Sequence, residues 1–369
     1  MRNYRIIISG GGTGGHIFPA ISIAETILKK YPGSEILFTG ADNRMEMERV
    51  PAAGYKIIGL PVSGFNRSNK IQNIQVIGRL LKSIRMAKKI IRDFKPDAVV
   101  GVGGYASGPT LWAATSLKIP TLIQEQNSYA GITNKLLGKR VAKICVAYEG
   151  MERFFPAHKI ILTGNPVRKE LEGCLPDKEE ALAWFNLSPD RKTVLIVGGS
   201  LGARTINNGI IGGLDQLLEA GIQVIWQTGR TYYESIKQKL EGKDTQHLLW
   251  MSDFISQMNN AYAAADLVVS RAGAGSISEL CILKKPAILV PSPNVAEDHQ
   301  TKNALAIVNE KAAVMIADKD AENQLTDTIL THICDTEQLG LLSKNISCMA
   351  RHHSAEHIAD EIAKLIEKK

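Results

Sequence analysis

Residues 4–31 read YRIIISGGGTGGHIFPAISIAETILKKY. The opening run of β-branched apolar residues favours a strand, and apolar side chains at Ile17, Ala20, Ile21, Ala24, Ile27 and Leu28 follow the 3.6-residue period of a helix. Between them, Gly10, Gly11, Gly12, Gly14 and Gly15 leave five of seven positions without a side chain. A strand running through glycines into a helix opens a Rossmann-type unit, in which main-chain N–H groups at the helix start meet an anion. Gly10-x-Gly12-x-x-Gly15 matches the dinucleotide fingerprint literally. A nicotinamide enzyme adds an acid at the end of the second strand to hold a ribose; here that strand ends in Thr39-Gly40, and the nearest acid, Asp42, lies in the loop. His16 sits at the helix N-terminus, where the dipole disfavours the imidazolium and leaves a ring able to take a proton. The reading is a general base beside an oxyanion-binding loop, set against a capping or surface histidine.

The same plan recurs along the chain. Short Val/Ile/Leu-rich runs alternate with helix-period segments, the pattern of a parallel sheet covered on both faces. Seven candidate strands precede residue 164, from YRIIIS to KIILTG, and six follow residue 191, from KTVLIVGGS to AAVMIAD. Each series opens with a strand running into glycines, IIISGGGTGGH and VLIVGGSLGAR, so the fold class is α/β with two Rossmann-like domains. Pro166, Pro176 and Pro189 mark a polar hinge around 164–190. The expected domains are residues 1–163 and 164–350, with a terminal amphipathic helix over about 352–369 packing back on the first.

Composition narrows the partners. The 369 residues carry 44 Lys+Arg against 37 Asp+Glu, a formal charge of +7, which favours anionic partners. The five cysteines form no Cys-x-x-Cys pair and no zinc pattern, which fits a reducing cytoplasm. No apolar stretch approaches the 18 to 20 residues that span a bilayer. The segment 65–96 concentrates Arg67, Lys70, Arg79, Lys82, Arg85, Lys88, Lys89, Arg92 and Lys95 against the single acid Asp93. Arg79, Lys82, Arg85, Lys89 and Arg92 are the candidate contacts to anionic lipid headgroups, with Ile77, Leu80, Leu81, Ile84 and Ile91 expected as the opposite, buried stripe. Few aromatics accompany these cations, so nucleic acid is not the expected partner.

Two further loops of the first half, GVGGYASGP (101–109) with Tyr105 and QEQNS (124–128) with Glu125, Gln126 and Asn127, offer the amide and hydroxyl groups that suit a sugar. In the second half, Ser200 within IVGGS and the helix start Ala274-Gly275-Ser276 offer main-chain donors for a diphosphate, while Glu279, a turn further in, can chelate the two ribose hydroxyls. No Gly-Lys-Ser/Thr is present, so an ATPase P-loop is unsupported. The one literal Asp-x-Asp match, Asp318-Lys319-Asp320, reads as a solvated turn, and neither metal nor cofactor is expected. Arg168 is then the best-placed cation for a leaving diphosphate.

The motifs GGTGGH, GVGGYASGP, QEQN, TGNPVR, GGSLGAR, SRAGAGSISE and EDHQTKNA occur in the order and spacing of the MurG family of bacterial cell-wall N-acetylglucosaminyltransferases, and the chain resembles that family over nearly its whole length. Gln124 stands where many members have a histidine, and PSPNVAEDHQ is a variant segment. The resemblance implies a GT-B fold, two domains facing across a cleft, with no metal requirement. It implies inverting transfer of N-acetylglucosamine from UDP-GlcNAc to the 4-hydroxyl of the N-acetylmuramyl unit of the undecaprenyl-diphosphate-linked acceptor, lipid I, giving lipid II. Donor contacts carried over are Thr13, Gly14, Gly15 and Asn127 from the first domain. From the second they are Arg168, Ser200, Ile255, the run Ala274, Gly275, Ser276, Ile277, Ser278 and Glu279, and Gln300. His16 is the candidate base with Glu125 as the alternative, and Tyr105 and Gln126 fall on the acceptor side. The expected location is peripheral, at the cytoplasmic face of the inner membrane, with cell-wall and division proteins left open as partners. Competing readings are a glycolipid synthase, a UDP-GlcNAc epimerase, or a non-catalytic nucleotide-binding protein at the membrane.

Overall fold

The computed structural model describes residues 3–63, 70–245 and 247–368, with backbone alone for 70–74 and 296. The first seven strands are β1 (Arg5–Gly10), β2 (Glu35–Ala41), β3 (Lys56–Leu60), β4 (Ala98–Gly103), β5 (Thr121–Glu125), β6 (Lys143–Val146) and β7 (Ile160–Leu162). They pair in parallel in the order β3-β2-β1-β4-β5-β6-β7. A second parallel sheet is built from β8 (Thr193–Val197), β9 (Gln223–Gln227), β10 (Leu249–Ser252), β11 (Leu267–Ser270), β12 (Ala287–Leu289) and β13 (Val314–Met315). Its order is β10-β9-β8-β11-β12-β13. All thirteen runs read as strands in the sequence form strands.

Parallel strands need crossover helices, which cover both faces, so strand residues are buried whichever way they point. Ile6, Ile7 and Ile8 are all 0% exposed. Ile6 and Ile8 join Ile23, Ile27 and Val100 on one face of the first sheet, and Ile7 joins Ile91, Leu111 and Ile123 on the other. In each sheet the strand order reverses beside the opening strand, at β1/β4 and at β8/β11. Open α/β sheets bind ligands at the carboxyl ends of such a switch point, and in both sheets the glycine-rich loops lie there.

The chain divides into two compact units, one reaching Val167 and resuming at Arg351, the other Arg168–Ala350. The terminal helix Ser354–Glu367 belongs to the first, burying Ile358, Ala359, Ile362 and Ala363 in the cluster that holds Ile23 and Ile27. Lys30 pairs with Asp360 across the two helices.

The basic helix, Lys70–Phe94, corrects one expectation; Arg67 and the Lys70 side chain lie outside the described residues. Its buried line is Val76, Ser83, Ala87 and Ile91. Ile77, next to Val76, falls about 100° off that line, and Leu81 shares its exposed side. They are 50% and 51% exposed and lie on the solvent side with Arg79, Lys82, Arg85, Lys89 and Arg92. No helix among the described residues is long and apolar enough to cross a membrane.

Candidate active site

In the first unit the turn after β1 leads through Thr13 into the helix Gly14–Lys30, and the turn after β4 leads through Tyr105 toward the helix Ser107–Ser116. Because β1 and β4 are neighbours, the two turns press on each other. A Cβ on Gly104, at φ +83°, would stand 2.4 Å from the Gly11 carbonyl oxygen, and one on Gly103, at φ +105°, 2.6 Å from the His16 ring. Glycine is required here by main chain meeting main chain and main chain meeting imidazole. The Ser107 hydroxyl ties the turns together, 2.8 Å from both the Ser9 and Gly103 carbonyl oxygens.

His16 Nδ1 lies 3.0 Å from the Gly11 carbonyl oxygen. A carbonyl only accepts, so Nδ1 carries the proton, and in the neutral ring the lone pair is on Nε2. Glu46, at the start of the helix Glu46–Ala52, is fully buried and accepts the Gly12 N–H at 2.8 Å and the Ala41 N–H at 2.9 Å. Asp42, the acid weighed for a ribose, is exposed in the loop. The carboxylate after β2 that reaches the glycine loop is therefore Glu46, and it turns inward to the main chain.

Glu125 ends β5 at 2% exposure with four donors on its carboxylate. Oε1 accepts the Asn127 N–H at 3.1 Å and Asn127 Nδ2 at 3.3 Å; Oε2 accepts the Gly131 N–H at 3.1 Å and Asn134 Nδ2 at 2.8 Å. This carboxylate folds the loop that presents Asn127. Gln126, expected on the acceptor side, is 2% exposed and donates to the Val102 carbonyl at 2.7 Å and to Gln124 Oε1. Gln124 donates in turn to Asn165 Oδ1 at 2.9 Å, so this amide pair is internal. Tyr105 is 52% exposed.

In the second unit the turn after β8 carries Ser200 at the surface. A Cβ on Gly202, at φ +87°, would stand 2.2 Å from the Thr228 carbonyl oxygen, so this turn too is pressed against its neighbour. Gln227 bridges the loops: its Nε2 donates to the Gly199 carbonyl at 3.1 Å and its Oε1 accepts the Ile255 N–H at 2.9 Å. Ile255 and Ile277 are 1% and 2% exposed, so any contact they make is through main chain. The helix Ala274–Ile282 opens after β11 with the N–H groups of Ala274, Gly275 and Ser276 at its start. Ser278 back-bonds to the Ala274 carbonyl at 3.0 Å.

Glu279 is buried, its Oε1 taking Arg168 Nε at 2.9 Å and its Oε2 taking the Tyr262 hydroxyl at 2.9 Å. Burial pushes its carboxyl above the usual carboxylate range, against the pull of Arg168 and the Tyr262 hydrogen bond, and burial together with Glu279 pushes the Tyr262 phenol well up. A polar cavity of about 500 Å³ beside the glycine turn is lined by Gly198, Arg204, Tyr232, Arg271, Asn294 and Gln300 among others. Gln300 reaches it because Glu297 and Asp298, at φ +56° and +52°, reverse the chain just before the helix His299–Val308; its Oε1 accepts the Ser292 N–H at 2.8 Å. Two adjacent non-glycine residues in the left-handed region mark local backbone strain at this loop. Asp318 is a correction: it is no solvated turn residue but a partly buried acceptor for Arg271 and the Thr205 hydroxyl.

The profile of the glycosyltransferase family 28 N-terminal domain matches residues 6–146, and that of the family 28 C-terminal domain matches residues 193–362. A Parabacteroides distasonis protein is 66% identical over 369 residues, the full length of both chains, and carries the name UDP-N-acetylglucosamine--N-acetylmuramyl-(pentapeptide) pyrophosphoryl-undecaprenol N-acetylglucosamine transferase. A Phocaeicola vulgatus protein of the same name is 60% identical over 99% of this chain and 97% of its own. The chain belongs to glycosyltransferase family 28. The crystal structure of Acinetobacter baumannii MurG, a solved relative, superposes with a TM-score of 0.81 at 27% identity, covering 98% of this chain and 99% of that one. The MurG resemblance and the two-domain GT-B fold read from the motifs therefore stand, and this family 28 chain is a glycosyltransferase.

Glu46, Gln227, Tyr262 and Arg271 were not singled out in the sequence as site residues. Each bonds to a residue 17 to 47 positions away, which no local spacing reveals. The nearest signal was for Glu46, an acid shortly after the second strand.

Proposed function

We propose that the chain transfers N-acetylglucosamine from UDP-N-acetylglucosamine to the 4-hydroxyl of an N-acetylmuramyl-pentapeptide carried on diphosphoundecaprenol, with inversion. The full-length identity of 66% to a protein of that name carries the reading. The second unit takes the nucleotide. Ribose hydroxyls replace Arg168 on Glu279, freeing the guanidinium for the diphosphate, which the N–H groups opening the helix Ala274–Ile282 also meet. The first unit supplies the base. The acceptor oxygen bonds to the anomeric carbon as its proton passes to His16 Nε2, and the bond from that carbon to the β-phosphate oxygen breaks to release UDP. Asn127, held by Glu125, and the exposed N–H groups of the glycine turn orient the reacting sugars. The test is disaccharide formation from UDP-N-acetylglucosamine and a short-chain lipid-linked acceptor in the presence of a chelator. UDP binding without product would overturn it.

The lipid-linked acceptor requires a membrane surface, and the first unit has one of suitable chemistry. Besides the exposed Ile77 and Leu81, the next helices expose Trp112 at 42%, Ile132 at 57% and Leu136 at 73%, with Arg140 stacked 3.9 Å from the Trp112 ring centroid. Apolar side chains among cations are what peripheral binding to anionic lipid needs. At about 1 kcal/mol per basic residue, the combined change Lys82→Ala, Arg85→Ala and Lys89→Ala weakens binding to phosphatidylglycerol vesicles about 100-fold while UDP affinity is unchanged. Vesicle co-sedimentation checks it, and undiminished binding would move the surface elsewhere.

A further inference from the structure

We propose that Glu46 is a positioning residue for the transfer, acting on His16 through the single peptide group between Gly11 and Gly12. The inference rests on the reading of His16 as base. The N–H of that peptide belongs to Gly12 and donates to Glu46 Oε2 at 2.8 Å; its carbonyl belongs to Gly11 and lies 3.0 Å from His16 Nδ1. One planar amide thus joins a carboxylate to an imidazole. An amide whose N–H is drawn toward a negative oxygen becomes a stronger acceptor at its carbonyl. A stronger acceptor holds the proton on Nδ1, keeps the lone pair on Nε2, and stabilises the imidazolium that forms when Nε2 takes the acceptor proton.

The surroundings are built for this carboxylate. Glu46 is 0% exposed, and among the described residues it meets two main-chain N–H groups and no cation. A Cβ on Gly11 would stand 2.1 Å from its Oε1, and one on Gly40 2.6 Å from its Cγ and 2.9 Å from Ile57 Cδ1. A buried carboxylate held by N–H groups without a paired cation is costlier than a neutral acceptor, and a purely structural brace here could be neutral. Its other bond, to the Ala41 N–H at 2.9 Å, anchors it to the end of β2, so the glycine turn is referenced to the sheet rather than left to its own flexibility.

Glu46→Gln preserves volume and removes the charge. The expected result is a kcat lowered about 10–100-fold, donor KM within about twofold of wild type, and the acid limb of the kcat profile displaced toward lower pH, since the imidazolium loses its stabilising partner. Nitrogen-15 NMR of the His16 ring should show the neutral ring moving from the Nδ1–H tautomer toward a mixture. In the His16→Ala background Glu46→Gln should cost almost nothing further in kcat. Should Glu46→Gln fail to fold, Gly40→Ala displaces the carboxylate from the sheet side with its charge intact and should lower kcat in the same direction. A wild-type pH profile and tautomer in the folded variants would overturn the relay. Normal turnover in His16→Ala would instead overturn the base assignment, and the NMR measurement still judges the relay in that case.

Discussion

Replacing His16 with alanine lowers kcat by about 10²–10⁴-fold, the usual range for losing a positioned general base. The donor KM changes little, because uridine, ribose and most of the diphosphate are assigned to the second unit. The geometry behind the expectation is directional. Nδ1 is committed to the Gly11 carbonyl at 3.0 Å, so the imidazole can take a proton only on Nε2. The ring packs over Gly103, where a Cβ would stand 2.7 Å from Nε2, and that glycine is what admits it. The wild-type rate falls at low pH as the ring protonates and can no longer accept; the variant lacks that limb. Steady-state kinetics across pH with both substrates saturating measures this. A variant with near-normal turnover and the wild-type profile removes His16 from the role.

Glu279→Gln moves binding and stability in opposite directions. A carboxylate accepting from both ribose hydroxyls contributes about 1.5–3 kcal/mol per charged hydrogen bond, so losing the charge weakens UDP about 10–150-fold, measurable by calorimetry. Stability follows from the raised carboxyl pKa. The folded chain binds this proton more tightly than the unfolded chain, so the contribution is full below the ordinary value of 4.5 and is lost as pH rises through the folded value. At neutral pH the native protein therefore bears the cost of ionising a buried group, and glutamine removes it. Tyr262 keeps an acceptor in the glutamine oxygen, while Arg168, its side chain 51% exposed, loses little by returning to water. The expected melting temperature at pH 7 is higher than wild type, and the difference closes as the pH falls toward 4.5. An unchanged UDP affinity would take the ribose away from Glu279.

Much of the nucleotide site proposed for the second unit can be read in the sequence because it rests on main-chain donors placed by local glycine and helix-start signals, as at Ala274-Gly275-Ser276. Side-chain burial was less legible. Ile255 lies between two exposed residues in sequence and Gln126 in the loop just past β5, yet both point inward, because Gln126 donates to the Val102 carbonyl and because Gln227 draws the Ile255 N–H toward the glycine turn. The helix Lys70–Phe94 is the same lesson in rotation: its apolar residues suffice for two faces, and Ile91 is buried as read, but Ile77 and Leu81 are exposed while Val76 and Ala87 take the buried line. Asp318 read as a solvated acid since its partners, Arg271 and Thr205, lie 47 and 113 residues away.

Alternation of β-branched runs with helical periods, and glycines at the strand ends, were sufficient to specify two parallel sheets with glycine-rich loops at the carboxyl ends of their strands; the strand order that sets the switch points came from the fold. Those properties depend on period and on backbone freedom, which are local. What only the tertiary structure decided is the wiring: the proton on His16 Nδ1, the inward carboxylate of Glu46, the saturated Glu125, and the Arg168–Glu279–Tyr262 group. Hydrogen bonds are set by ångström distances and by donor direction, and the Glu46 and Arg168 bonds join residues 34 and 111 positions apart. Separation in sequence carries no such distance; the packing of one strand beside another does.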